Sequence, residues 1–203
     1  VHRTTPIALF DACAQAGVQR VVHISALGID GSNTRYAQTK RAAEAHLQTL
    51  ATQAKLRPAI LRPSVVYGKG GDSSALFMNL ARLPLALFPG PMLTARVQPV
   101  SVHDLAAAVV ALLGPAPQHT GTIECTGPEA LTMGAFIASL RQQLGHSPAT
   151  VLRLPQPLTT LSARLGDAVP QSPWCSETLA MLGSDNVGNP AVFEQLLGRK
   201  AVH

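Results

Sequence analysis

The sequence predicts an α/β fold built on a parallel sheet. Helix and strand signals alternate through the first third of the chain, and the two strand segments there, "VQRVVHIS" and "LRPAILRPSVVYG", read as buried runs rather than as polar–apolar alternation. Two such strands cannot stand alone as a sheet, so further strands are expected. After Gly68 the character changes to Gly-rich and Pro-rich text, which marks a second, smaller lobe.

The elements follow in order. "TTPIALFDACAQAG" reads as a helix, with Thr5 as N-cap, Pro6 at the first helical position and Gly17 as terminator; Ile7, Phe10 and Ala14 form its apolar face. "VQRVVHIS" is a short β-branched strand ending at Ser25, and "ALGIDGSN" is a loop. "TRYAQTKRAAEAHLQTLATQA" is a long helix of good helix formers. "LRPAILRPSVVYG" is the next strand, broken at Pro63.

Beyond it, "KGGDSS" reads as a loop. "ALFMNLARLPLALFPGPML" is apolar with three prolines, which suggests short helical pieces or a lid. "ARVQPVSV" is a short strand. "SVHDLAAAVVALLG" opens on a capping signature at Ser101 and Asp104 and closes at Gly114. "GTIECTG" is a strand, "LTMGAFIASLRQQLG" a helix closed by Gly145, and "ATVLRLP" a last short strand before Pro-punctuated helices. No internal repeat is present.

Composition narrows the function classes. The 203 residues are 46% hydrophobic and 13% charged, which suits a globular core. The net charge is +5 and the pI about 9.6, yet no basic run exceeds a pair. That pattern lacks the clustered charge of a nucleic-acid binder and suits a phosphate-bearing small ligand. Cys13, Cys125 and Cys175 are far apart and odd in number, which points to small core residues in a reducing compartment. The histidines show no metal-ligand spacing, so no metal site is expected. The longest apolar run, "LAAAVVALLG", is too short to span a bilayer. The chain starts at Val1, close to a helix signal, and reads as a fragment.

The chemistry lies in "SALGIDGSNTRYAQTK". In open α/β sheets ligands sit at the carboxyl ends of strands, and Ser25 is at such an end. Tyr36 and Lys40 are spaced i, i+4 and share one helix face. A carbonyl reduced by hydride needs a proton on its oxygen. A phenol with a pKa near 10 is a weak acid–base at neutral pH. A neighbouring ammonium is expected to lower that pKa.

Each residue also has a plainer reading. Tyr36 and Lys40 fit a solvated helix face, and Ser25 a strand-end serine that satisfies a loop amide. His23 shares the face of Ser25 by alternation and reads as a packed histidine. Arg62, before Pro63, reads as structural. A hydrolase built from Ser25, His103 and Asp104 lacks the G-x-S-x-G elbow. "YGKGGDSS" lacks the order of a phosphate loop.

Ser followed by Tyr-x-x-x-Lys, with the serine on a strand end, resembles the short-chain dehydrogenase/reductase superfamily. "VVHISALGIDGSNTRYAQTKRAAEAHL", "LRPSVVYGKGG", "VQPVSVHDLAAAVVALL", "GTIECTGPEALTMGAFI" and "LGSDNV…FEQLLGR" resemble, in this order, its atypical, epimerase/dehydratase-like branch, which includes the NADPH-binding subunit of respiratory complex I.

The resemblance implies a partial NAD(P)-binding Rossmann domain, a doubly wound parallel sheet, over residues 1–70 and 100–128. It implies a small α/β substrate lobe over residues 71–99 and 129–203. It makes Tyr36 the catalytic tyrosine, Lys40 the lysine that holds the nicotinamide ribose, and Ser25 the substrate-orienting serine. Pro63, Ser64 and Val65 match the segment beneath the nicotinamide, and Arg96 lies where extended members contact a substrate phosphate.

The cofactor implied is NADP or NAD, the compartment is the cytoplasm and the partner a small-molecule substrate. The alternative is a non-catalytic NAD(P)H-binding protein associated with a membrane or quinone-linked respiratory complex; a degraded gene product is the third reading. The family's Gly-rich βαβ opening is absent from these residues, which implies truncation before Val1 and weak dinucleotide binding by the chain as given.

Overall fold

The computed structural model describes residues 3–114, 119–169, 172 and 174–202. The elements run α1 (Thr4–Gln15), β1 (Arg20–Ile24), α2 (Arg35–Thr52), β2 (Arg57–Pro63), β3 (Val66–Tyr67), α3 (Asp72–Arg82), β4 (Leu85–Pro89), α4 (Gly90–Thr94) and β5 (Arg96–Val97). They continue as β6 (Val100–Ser101), α5 (Val102–Leu113), β7 (Gly121–Cys125), β8 (Leu131–Thr132), α6 (Met133–Gln143) and β9 (Thr150–Leu154). Three helices close the chain: α7 (Gln156–Asp167), α8 (Ser176–Met181) and α9 (Ala191–Leu197). They divide into two compact units. The first comprises Val1–Ser64, Val100–Pro128 and Gly188–His203, and the second Val65–Pro99 and Glu129–Val187.

In the first unit β1, β2 and β7 form a parallel sheet in that order. Ile24 is level with Leu61, Leu61 with Ile123, and Pro63 with Cys125. The central strand has Ala59, Ile60 and Leu61 buried in succession, as a parallel strand covered on both faces must. The helices α1 and α2 supply Phe10, Ala43, Leu47 and Leu50 to a core with Leu56 and Ile60. Each large side chain fully buried there contributes about 1.5–3 kcal/mol.

Two expectations are corrected in this unit. β1 is half-buried rather than buried, and Ile24 is 44% exposed. It is an edge strand of the sheet among the described residues, so one flank lacks cover. The helix α1 starts at Thr4, one residue before the expected cap, and Pro6 is its third residue.

Ser101 caps α5 as expected, its Oγ accepting from the His103 N–H at 3.2 Å. Asp104 does not complete the capping pair. It is fully buried and accepts from the Arg199 guanidinium and from the Val202 N–H at 2.9 Å. A cation and an amide from the C-terminal segment outcompete the helix start for its oxygens.

The second unit holds a parallel pair, β4 with β9, and an antiparallel pair, β5 with β8. Its core gathers Phe88, Val97, Met133, Phe136 and Ile137. The stretch expected as short helical pieces contains a strand. Ala86 and Phe88 face the core while Leu85 and Leu87 stay exposed, and Pro84 and Pro89 bracket the segment. "ARVQPVSV" splits into β5 and β6, because Pro99 has no amide to donate. The buried Arg141 of α6 donates to the carbonyls of Ala81 and Leu83, at 3.0 Å each, and so satisfies the end of α3. Gly145 closes α6 with φ +76°, a conformation that suits glycine.

Candidate active site at the carboxyl edge of the parallel sheet

All three strands of the parallel sheet are followed by a hydroxyl at or just past their carboxyl ends. Ser25 follows β1, and its N–H donates to the Leu61 carbonyl at 2.7 Å. Ser64 follows β2, and its N–H donates to the Cys125 carbonyl at 3.0 Å. Thr126 follows β7. All three are buried. The Ser25 and Thr126 hydroxyls have no hydrogen-bond partner among the described residues. An unsatisfied buried hydroxyl costs about 1–3 kcal/mol, which a polar ligand would recover. Sequence reasoning found Ser25 and Ser64 but passed over Thr126; its place at the end of "GTIECTG" was the available signal.

Thr34 caps α2 through its Oγ1, which accepts from the Ala37 N–H at 3.3 Å. Tyr36 therefore lies in the first turn and Lys40 one turn on. The Lys40 ammonium stands over the Tyr36 ring, 5.8 Å from its centroid, and donates to the Ile24 carbonyl at 3.0 Å. Burial pushes the Tyr36 phenol above its ordinary value. The expectation that Lys40 lowers it is not met: the ammonium lies over the ring and spends a donor on the β1 backbone, so desolvation dominates. Burial also pushes Lys40 down, opposed by the charge of Glu44.

His23 packs edge-on against Phe10, with ring centroids 5.2 Å apart. Its Nε2 is buried and unpartnered among the described residues. Burial first, and then the Lys40 charge, hold it below its usual value, while Glu44 opposes. Arg62 is a structural hub. It donates through Nε to Glu44 at 3.0 Å and through Nη2 to Glu44 at 2.5 Å. It also donates to both oxygens of Asp30, at 2.6 and 3.3 Å. The Pro63 carbonyl accepts from the Leu27 N–H at 2.9 Å. Burial drives the Cys125 thiol up to about 12, as befits a core cysteine.

Ser25, Tyr36, Lys40, Pro63 and Ser64 thus all belong to the first unit. Val65 begins the second. Arg96 also belongs there, on β5, where it is exposed. Its N–H donates to Asp185 at 2.8 Å and its guanidinium reaches the Ala130 carbonyl at 3.5 Å. Among the described residues no group of three or more His, Cys, Asp or Glu could hold a metal ion, and no helix is long and apolar enough to cross a membrane.

A sequence model of the "NAD dependent epimerase/dehydratase family" matches residues 2–123. A search of curated proteins found no match. Several solved structures share the fold. MoeE5, in complex with UDP-glucuronic acid and NAD, is 19% identical with a TM-score of 0.69 over 100% of this chain and 66% of that one. The UDP-glucuronic acid 4-epimerase of Bacillus cereus, with UDP-glucuronic acid and NAD, is 17% identical with a TM-score of 0.68, over 100% of this chain and 62% of that one. The NADPH-dependent quinone oxidoreductase of Escherichia coli, with NADPH, is 19% identical with a TM-score of 0.69, over 98% and 67%. The chain therefore spans a little under two thirds of the length of the first two of these structures.

Proposed function

This chain belongs to the NAD dependent epimerase/dehydratase family, and on that basis we propose that it serves NAD(P)-dependent oxidoreduction or epimerisation of a small molecule at a hydroxyl- or carbonyl-bearing carbon. The observation that carries the reading is the gathering of Ser25, Tyr36 and Lys40 in one unit, with the Ser25 hydroxyl buried at the strand ends and unpartnered among the described residues.

The residues fit the nicotinamide side of a dinucleotide. Lys40 has an ammonium for a ribose, Pro63 ends the central strand with Ser64 just past it, and the Ser25 hydroxyl awaits an acceptor. The Gly-rich turn that would hold a pyrophosphate is not in these 203 residues, and in this reading it lies in chain outside them. NAD(P), when bound, supplies the hydride donor or acceptor. Tyr36 gives its phenolic proton to the substrate oxygen as a carbonyl becomes an alcohol, and takes it back in the reverse direction. Ser25 donates a hydrogen bond to that oxygen. Arg96, in the second unit, is assigned to a substrate phosphate on the family resemblance alone. Tyr36→Phe in the full-length protein should lower turnover by about 100-fold or more while dinucleotide binding persists. Turnover unaffected by this change would overturn the assignment.

Two observations favour a second reading. Lys40 is engaged with the Ile24 carbonyl, and the Tyr36 phenol is raised rather than lowered. This fits a protein that binds NAD(P)H without turnover, in a membrane or quinone-linked complex. Saturable NADPH binding, with no reaction that depends on Tyr36, would establish it. A bound dinucleotide at about a hundred times its Kd adds roughly 2.7 kcal/mol of stability, so a thermal shift reports binding in either case.

A further inference from the structure

Helix α2 carries a third residue on the face of Tyr36 and Lys40. Glu44 lies one turn beyond Lys40, at i+8 from Tyr36. It is 3% exposed, and a buried carboxylate is costly unless its oxygens are paired. Both oxygens are met by Arg62, from β2. The same guanidinium holds both oxygens of Asp30, in the loop between Ser25 and Tyr36. Arg41 fastens that loop from the helix side, donating to the carbonyls of Ile29 and, at 2.7 Å, Ser32. One arginine thus ties the strand that ends in Pro63, the loop that follows Ser25 and the helix that carries Tyr36 and Lys40.

The charges do not cancel. Asp30 and Glu44 bring two negative charges and Arg62 one positive, so the cluster is net negative, and its Glu44 member lies one turn from Lys40. Asp30 is 67% exposed and shielded by water, whereas the Glu44 carboxylate is 4% exposed and Lys40 half-buried. The titratable groups that Lys40 faces are Tyr36 and Glu44 on its own helix and His23 on β1. Of these, Glu44 alone brings a negative charge at neutral pH.

We propose that Glu44, clamped by Arg62, is a positioning residue for Lys40: it fixes the helix face that presents the ammonium and supplies the negative charge that the half-buried ammonium needs. The clamp explains why Arg62 carries two carboxylates where one would satisfy an ion pair. The proposal rests on the reading of Lys40 as the ribose-binding lysine, and its test does not require turnover.

Isotope-labelled dimethylation and NMR titration of the full-length protein, with Lys40→Arg to assign the Lys40 signal, separate its midpoint from those of Lys55, Lys69 and Lys200. Glu44→Gln should lower the Lys40 midpoint by on the order of one pH unit and leave the other three in place. Glu44→Asp, which restores the charge, should return most of the shift. If Glu44→Gln does not fold, Asp30→Asn should lower the Lys40 midpoint by a smaller amount, since it makes the cluster neutral from its exposed side. A Lys40 midpoint that stays put in a folded Glu44→Gln protein, or in Asp30→Asn where that is the variant that folds, overturns the proposal. Loss of stability alone would leave Glu44 a merely structural residue. An unchanged midpoint removes the role of Glu44 and leaves the reading of the site intact, whereas turnover indifferent to Tyr36→Phe removes that reading and leaves the midpoint.

Discussion

The Lys40 ammonium stands 5.8 Å from the centroid of the Tyr36 ring and gives a hydrogen bond to the carbonyl of Ile24. A lysine one turn from a tyrosine is therefore not enough to make a phenolate. Burial pushes the phenol up, and Tyr36 keeps its proton at neutral pH.

The first prediction follows from that balance. The chain has two tyrosines, so ultraviolet titration of wild type against Tyr36→Phe isolates Tyr36. Its ionisation should lie above pH 10, the ordinary phenol value. A Tyr36 step below pH 10 would mean that the Lys40 charge prevails over burial.

Ser25 tests the chemistry of the sheet edge. Its hydroxyl is buried with no hydrogen-bond partner among the described residues, so Ser25→Ala should leave unfolding free energy unchanged or raise it by up to about 1 kcal/mol. The same change should lower turnover by about 10-fold or more, because a donor aimed at the reacting oxygen is lost. Denaturant unfolding and steady-state rates check the two halves. A marked loss of stability would show that the hydroxyl serves the fold.

His23 makes stability depend on pH. Its folded pKa lies below the unfolded value near 6.5, so below that value the unfolded chain binds more protons than the folded one. Acidification through this window should therefore cost stability, and the cost levels off once the pH passes the folded pKa. Wild type should lose more melting temperature than His23→Met as the pH falls from neutrality through 6.5. Parallel curves for the two proteins would mean that the ring accepts its proton without penalty.

Asp104 and Arg199 predict an asymmetry. Asp104 is fully buried, while the Arg199 side chain is 48% exposed. Arg199→Met strands a buried carboxylate with one amide donor from Val202, at a cost of about 3–5 kcal/mol. Asp104→Ala leaves an arginine that water can solvate, and should cost less, about 1–3 kcal/mol. Equal losses in urea unfolding would mean that the carboxylate is less isolated than its burial indicates.

Legibility in the sequence followed the range of the interactions. The strand at "VQRVVHIS", the α2 helix and the break at Pro63 were readable because they rest on local propensity and on the missing amide of proline. The strand Leu85–Pro89 was not, because four residues between prolines become a strand only where β9 offers a ladder. Asp104 looked like a helix cap for the same reason: nothing local announces that Arg199, 95 residues away, will claim its oxygens. Thr126 was hidden because a strand-end threonine gains meaning only from what lies beside it.

By itself the sequence determined the parallel α/β class, the i, i+4 pairing of Tyr36 with Lys40 and the strand-end position of Ser25. Each of these depends on a backbone period or on turn chemistry that acts over a few residues. Tertiary structure alone decided the protonation of the site. Whether Tyr36 is phenol or phenolate, whether His23 can act as a base and which carboxylate faces Lys40 depend on burial and on charges brought in from other strands. Desolvation and Coulomb terms act through space, and a linear sequence does not order residues by distance in space.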